Sequence, residues 1–380
     1  MGIEESENYD YAIPNNSIII SNPPNSLEQN QKIFINSKIP PRGLNNIGAT
    51  CYMNSVLQCL YHVYDLSNEF LKSYYDTQTL KYELLIKMPM THALFNIIYK
   101  LTYEKNKSVN PKMFNDIISK NKSFKKYEAN DSKNLVLYTL DNLNKELNEF
   151  KLITENKDLI NPIRFYDQKM NEANDIVKSF NDNYNTLIGD LFHGLKLSEY
   201  QCTVCQKSNK VYQIFNIITC PIQKAFEFKY KEINNQIERK LNIIDCFKLE
   251  QNPVLFTGLN KLFCDKCQIS NDGICNNKII ISPKILILFL DRGHNNQFMC
   301  DVEFPNELDI NEFLEEKGKK YKLIEVIEHL GQSGESGHFI ACCKHFNGEW
   351  FIFSDSSIYY VGREYKKNGI PYLVFYEREN

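Results

Sequence analysis

The sequence predicts an α+β fold in which a helical first half gives way to a strand-rich second half. Three observations predict it. Apolar residues recur at helical spacing from about residue 51 to residue 150, and short runs of β-branched and aromatic residues dominate after Leu191. The 380 residues suffice for one large domain, or for two to three subdomains around connected cores.

With 43% hydrophobic residues, 13% aromatic residues and a net charge of -3, the chain has the balance of an ordinary soluble globular protein. That charge leaves no electrostatic footprint for nucleic acid, and no nucleic-acid partner is expected. There is no long uninterrupted apolar run, and no basic segment leads into an apolar one. Neither a transmembrane segment nor a secretory signal is therefore expected, which places the chain inside the cell, in the cytoplasm or nucleus. In that reducing compartment its 12 cysteines suit metal ligation or catalysis better than disulfides. The start Met1-Gly2-Ile3-Glu4-Glu5-Ser6 fits the loose pattern for myristoylation at Gly2, but two glutamates oppose an anionic lipid surface.

Taken in order, residues 1–40 read as an irregular lead-in, with Asn22-Pro-Pro-Asn25 and Pro40-Pro41 among scattered polar residues. The stretch Gly43-Leu-Asn-Asn-Ile-Gly-Ala-Thr-Cys51 is turn chemistry, and Met53, Val56, Leu57, Leu60 and Tyr61 then recur at helical spacing. Cys51 therefore stands at a helix N-terminus. Unpaired amides and the positive end of the helix dipole lower a thiol's pKa at such a place, which favours a nucleophile. Further helices are predicted over 61–75, 90–103 and 131–150, the last with Val136, Leu140, Leu143 and Leu147 on one face. Residues 151–190 are polar and weakly periodic and read as helix or loop. Strands are predicted over 211–218, 225–230, 279–290, 322–329, 339–343, 350–353 and 372–376.

Two pairs interrupt the strand-rich half: Cys202-Thr-Val-Cys205 and Cys264-Asp-Lys-Cys267. Each C-x-x-C can present two thiolates to one tetrahedral metal, and two such knuckles make a closed, structural zinc site with no open catalytic position. Their wide separation makes the site a tie at the end of a strand-rich insertion, not a small independent finger.

A nucleophilic thiol needs a base. Among 7 histidines, His338 alone follows a glycine-rich loop, Gly331-Gln-Ser-Gly-Glu-Ser-Gly337, and opens a strand. An imidazole at such a strand edge can take a thiol proton and return it to a leaving amine. A hairpin through Asn347-Gly348 would bring Ser354 or Asp355 back towards it, to accept the Nδ1 proton and fix the tautomer.

These motifs together resemble the ubiquitin-specific proteases, papain-like cysteine peptidases that remove ubiquitin. From Arg42 to Arg378 the likeness is collinear. Gly43 to Gln58 is similar to the family's cysteine box and His329-x-Gly-x-Ser to His338 to its histidine box. Leu191 to Ser198, running on to Cys205, resembles the start of the fingers; Ser282 to Ile287 and Tyr372 to Arg378 resemble the strands that follow and close the fold.

The resemblance implies a right hand with a helical thumb (about 41–190), zinc-tied β fingers (about 191–285) and an antiparallel β palm (about 286–380). It also implies Cys51 as nucleophile, His338 as general base and acid, and Asn46 as an oxyanion donor. Ubiquitin and ubiquitin-conjugated proteins would be the partners, one structural zinc the only bound metal, and a monomer the working form. Two departures stand out. Ser354 followed by Asp355 replaces the usual Asp or Asn; a carboxylate is the stronger acceptor for an imidazolium, which favours Asp355. Asn130-Asp131-Ser-Lys-Asn-Leu135 stands where Gln-Gln-Asp-Ala-x-Glu-Phe is usual, which points to altered packing or tail recognition. The alternative to an enzyme is an inactive ubiquitin-binding scaffold of the same fold.

Overall fold

The computed structural model describes residues 35–76, 87–154, 180, 183–231, 240–293, 298–333 and 336–379. The possible Gly2 lipidation site and most of the lead-in lie outside them. Ile35 and Ile39, at the end of that lead-in, are buried in the first core.

Helices fill the first half: α1 (Cys51–His62), α2 (Tyr64–Asp76), α3 (Pro89–Tyr103), α4 (Lys112–Ile118), α5 (Ser132–Thr154) and α6 (Leu187–Phe192). A short parallel pair, β1 (Gly43–Leu44) with β2 (Ser108–Val109), precedes and interleaves with them. The centre is α1, every residue of which is buried from Tyr52 to His62. A helix enclosed on all sides belongs inside a domain, and α1 packs against α5 on one side and the large sheet on the other. Only its first residue, Cys51, reaches solvent. The face predicted for 131–150 is the buried one, with Val136, Leu140, Leu143 and Leu147 in the core. Asp131 caps α5 by accepting from Asn134 N at 2.9 Å, and the Tyr372 hydroxyl donates to its other oxygen.

The fingers follow as β3 (Gly194–Cys202) and β4 (Ser208–Phe215). The chain then lays the palm edge strand β5 (Ile218–Pro221), helix α7 (Ile222–Tyr230), β6 (Leu241–Asn242) and helix α8 (Ile243–Gln251). It returns to the fingers with β7 (Val254–Phe256), the hairpin β8 (Leu262–Cys264) and β9 (Ile269–Asn271), and β10 (Gly273–Ile281). These build a four-stranded sheet in the order β4-β3-β10-β7 with the hairpin beyond it.

The palm adds β11 (Ile285–Asp291), β12 (Val302–Glu303), β13 (Glu307–Asp309), β14 (Lys320–Ser333), β15 (Ser336–Lys344), β16 (Trp350–Ser354), β17 (Ser357–Gly362) and β18 (Ile370–Arg378). Its order is β17-β16-β15-β14-β18-β11-β5, with β13 on β14. All these pairings are antiparallel except that of β5, which runs parallel to β11. Both faces are covered. Ile287, Ala341, Cys343 and Leu373 face the thumb core, while Leu288, Ile340, Cys342 and Val374 face a second core roofed by α7 and α8. Burial on two sides explains why Ile285–Leu290 and Leu373–Tyr376 are apolar without alternation.

Three strand expectations are corrected. Residues 225–230 are helical: Pro221 precedes α7, and Ile222 and Ala225, three apart, form its buried face. The run 211–218 breaks after Phe215, where the chain passes from fingers to palm. The run 279–290 divides at Ser282-Pro283-Lys284, because proline cannot donate to a ladder.

Candidate active site

The loop before α1 makes two successive left-handed residues, Gly48 (φ 114°) and Ala49 (φ 51°), and so turns the chain sharply onto the helix. Asn46 holds this turn. Its Oδ1 accepts from Gly48 N at 3.0 Å, and from Thr50 N and Thr50 Oγ1 at 3.3 Å each. Ile47 N in turn donates to Thr50 Oγ1 at 3.0 Å. Cys51 then sits at the first helical position, half-exposed, as the sequence predicts.

Strand β15 brings His338 to it across α1. The His338 imidazole and the Phe339 backbone N–H both lie close enough to Cys51 to act on its thiol. Burial alone would push the Cys51 thiol up; the His338 hydrogen bond, the Phe339 amide and the imidazolium charge bring it below its ordinary value, with Asp355 opposing. His338 is raised, first by its hydrogen bond to Cys51, against desolvation, with the Cys51 and Asp355 charges adding. Each group favours the charged form of the other.

The imidazole's second contact differs from expectation in atom and in partner. Nε2, not Nδ1, faces the orienting strand, and it meets Ser354 Oγ at 2.9 Å. The nearest Asp355 oxygen is 4.0 Å away. Strand β16 ends at Ser354, and Asp355 (φ 53°) is the first residue of a two-residue turn into β17, so its carboxylate swings towards the thumb. There Oδ2 accepts from Asn46 Nδ2 at 2.9 Å and Oδ1 from Asn54 Nδ2 at 2.7 Å. The Asp355 carbonyl also accepts from Leu44 N at 2.9 Å. Asp355 is thus a rivet between the palm turn and the cysteine loop. A side chain on Gly43 would strike the Asp355 and Ser356 backbone, which explains a glycine there.

Asn54 is the site residue that sequence reading missed. It lies one helical turn after Cys51, and its Nδ2 also reaches Asn45 O at 3.2 Å and Leu44 O at 3.5 Å. A buried asparagine on an otherwise apolar helix was the available signal, since buried amides need partners.

At the fingertip, the sulfurs of Cys202, Cys205, Cys264 and Cys267 lie within 4.8 Å of one another. Cys205 and Cys264 Sγ are 3.4 Å apart. Four thiolates about 2.3 Å from a central zinc would stand about 3.8 Å apart, so the cluster fits a closed zinc site. The Cys205 backbone amide, with those of Val204 and neighbouring thiols, holds Cys202 down to about 6. That is how a knuckle prepares a thiolate for a cation. A separate 230 Å³ cavity, lined by Phe215, Cys220, Phe247 and Glu250 among others, lies at the base of the fingers and includes none of these residues.

Known proteins locate this architecture. The family model for ubiquitin carboxyl-terminal hydrolases matches residues 42–376. The chain belongs to that family. A ubiquitin carboxyl-terminal hydrolase 2 of Bos taurus is 29% identical over 350 residues, covering 88% of this chain and 54% of its own length. The human hydrolase 2 is 28% identical over 347 residues, with 88% and 54% coverage. The chain thus spans about half the length of these curated relatives. Hydrolase 4 of Arabidopsis thaliana is 26% identical over 330 residues, 83% of this chain and 84% of that protein. Among solved structures, Ubp8 in the SAGA DUB module with Sgf11, Sus1 and Sgf73, bound to monoubiquitin, matches with a TM-score of 0.69 at 20% identity. It covers 92% of this chain and 72% of the Ubp8 chain. The fold is therefore the α+β papain-like right hand of that family.

Several other histidines and cysteines of this hydrolase-family chain have structural settings, and His294 lies outside the described residues. His62 and His345 are hydrogen-bonded to each other at 3.0 Å and to the Gln58 and Ile39 carbonyls. Cys59 and Cys343 Sγ stand 4.0 Å apart between α1 and β15. His329 packs edge-on to Phe339, and its ring fills the space beside Gly337 that a side chain would need. Among the described residues no helix is long and apolar enough to cross a membrane.

Proposed function

We propose that the chain is a deubiquitinase, a thiol hydrolase of the peptide or isopeptide bond that follows ubiquitin's terminal glycine. The observation that carries this reading is Cys51 at the first position of a helix with His338, anchored on Ser354, set beside it, in a member of this family. Cys51 Sγ attacks the glycine carbonyl. His338, whose Nε2 is committed to Ser354, uses Nδ1 to take the thiol proton and then gives it to the departing lysine amine. Water, activated by the same imidazole, then releases the acyl-enzyme.

The two acidic-turn residues divide the supporting work. Ser354 Oγ fixes the imidazole plane, while Asp355 holds Asn46. An amide has two N–H donors; Asp355 takes one from Asn46 and leaves the other for the oxyanion, alongside backbone amides at the helix start. Ubiquitin as substrate rests on likeness to hydrolases of that name and to a Ubp8 module bound to ubiquitin aldehyde. We assign the thumb to helices α1 to α6, the fingers to β3, β4 and β7 to β10 with zinc at their tip, and the palm to the remaining strands from β5 onward with α7 and α8, in place of one unbroken fingers segment over about 191–285. A monomer is the working form, in a reducing intracellular compartment that keeps the nucleophilic thiol free.

The test is a ubiquitin derivative with a thiol-reactive carboxyl terminus, incubated with wild type and with Cys51→Ala. An adduct is expected in the first only. No adduct in the wild type would return the reading to an inactive ubiquitin-binding scaffold, and an adduct persisting in Cys51→Ala would mean another nucleophile. Light scattering of the full chain checks the monomer.

A further inference from the structure

The turn that delivers Cys51 is held from inside by Asn46, and from outside by a residue on a different loop. Gly48 has no space for a side chain: the three atoms nearest to where its Cβ would stand are Cδ1, Cε1 and Cγ of Tyr127. The Tyr127 ring therefore lies directly on the Gly48 backbone, although the residue is 74% exposed.

An exposed tyrosine rarely keeps one position without support, and this one is supported. Tyr127 itself is in the left-handed region (φ 65°), an uncommon conformation for an aromatic residue and one that costs backbone energy. The loop that imposes it is tightly knit. Phe124 is buried and packs on Tyr138 at 5.2 Å, and Lys126 Nζ meets Asp116 at 2.6 Å. Glu128 N donates to Lys125 O at 3.4 Å, and Asn130 Nδ2 donates back to Ser123 O. Asp131, immediately beyond, caps α5 and is bonded to Tyr372 of the palm. The ring is thus the tip of a braced loop.

What it presses on is chemically sensitive. Gly48 and Ala49 are the two left-handed residues of the turn, and the amides of Gly48 and Thr50 are those that hold Asn46. A peptide flip at Gly48 would release Asn46 Oδ1 and let the first amides of α1 drift from the reacting carbonyl. A glycine makes such a flip easy; a ring on its face blocks it.

We propose that Tyr127 is a positioning residue for the reaction, clamping Gly48 so that Asn46 and Cys51 stay in reactive geometry. It acts through ring contact, so the hydroxyl is dispensable. This rests on the deubiquitinase reading, and two measurements keep the two separable. In hydrolysis of a fluorogenic ubiquitin substrate, Tyr127→Ala should lower kcat about tenfold with KM within about twofold, whereas Tyr127→Phe should keep the wild-type kcat. In amide hydrogen exchange on the full chain without substrate, Tyr127→Ala should speed exchange at Gly48 and Thr50 by about fivefold or more, and Tyr127→Phe should not. A rise in KM with kcat unchanged would make Tyr127 a substrate contact and overturn the proposal. Wild-type exchange at Gly48 and Thr50 in Tyr127→Ala would overturn it too. A wild type without activity would sink the hydrolase reading, and the exchange comparison would still decide the clamp.

Discussion

The two ends of α1 carry the same chemical groups to opposite effect. At the amino end, Cys51 meets His338, the thiol is lowered and the imidazole raised. At the carboxyl end, Cys59 beside Cys343 is raised well above the ordinary thiol range, and His62 beside His345 is brought down to about 3. In each of the latter cases desolvation is the leading cause. The difference is the partner: at the amino end each group faces an opposite charge near solvent, and at the carboxyl end each stands beside a like group, Cys343 or His345, whose charge pushes it the same way as burial. Residue type does not make a reactive pair; a complementary charge at a partly open edge does.

The largest effect that tests this contrast is Cys51→Ala, which should remove ubiquitin hydrolysis by about 10⁴-fold or more. Cys59→Ala should leave kcat/KM within about threefold while lowering unfolding free energy by about 1–2 kcal/mol in a denaturant titration. Comparable rate losses in both would break the distinction between the ends of the helix. Next in size, Asp355→Ala should lower kcat about 100-fold through the loss of Asn46 and Asn54 anchorage, and Ser354→Ala about tenfold through a looser imidazole. A reversed order would make Asp355 dispensable and Ser354 the rivet.

The pH profile gives a third measure. The rate should rise as Cys51 ionises, below its ordinary 9.0, and fall as His338 loses its proton, above its ordinary 6.5. The Asp355 charge raises both groups, so Asp355→Asn should move both limbs of kcat/KM towards lower pH. An alkaline shift would contradict the assignment. A smaller effect on rate is expected at the fingertip, where thiolates are held by amides and not by imidazole. Metal analysis should find about one zinc per chain, Cys264→Ser should lose it, and kcat should change by less than about threefold while the thermal midpoint falls.

Much of the site was legible because its chemistry is written in unusual local sequence. Cys51 after a turn, and His338 after a glycine-rich loop, can be read from flanking residues alone. The roles of Ser354 and Asp355 could not, because they depend on where a two-residue turn falls: one position decides whether a side chain points along the sheet or out towards the thumb. The same limit applied to 225–230, where Phe226, Phe228 and Tyr230 suggest a strand, but the buried pair Ile222 and Ala225 sets a helix against the sheet. Asn54 was hidden for another reason: its three acceptors lie in two segments, one of them 301 positions away.

Ile35 and Ile39 are 4% and 9% exposed, and the Ile39 carbonyl receives His345 Nε2 at 2.7 Å. Shortening the chain to begin at Arg42, where the family match starts, would uncover apolar surface worth about 2 kcal/mol per isoleucine and strand a buried imidazole donor. The loss would fall on the closed end of α1, about three helical turns from Cys51 on the same rigid rod. A minimal catalytic fragment of this protein should therefore be cut ahead of Ile35.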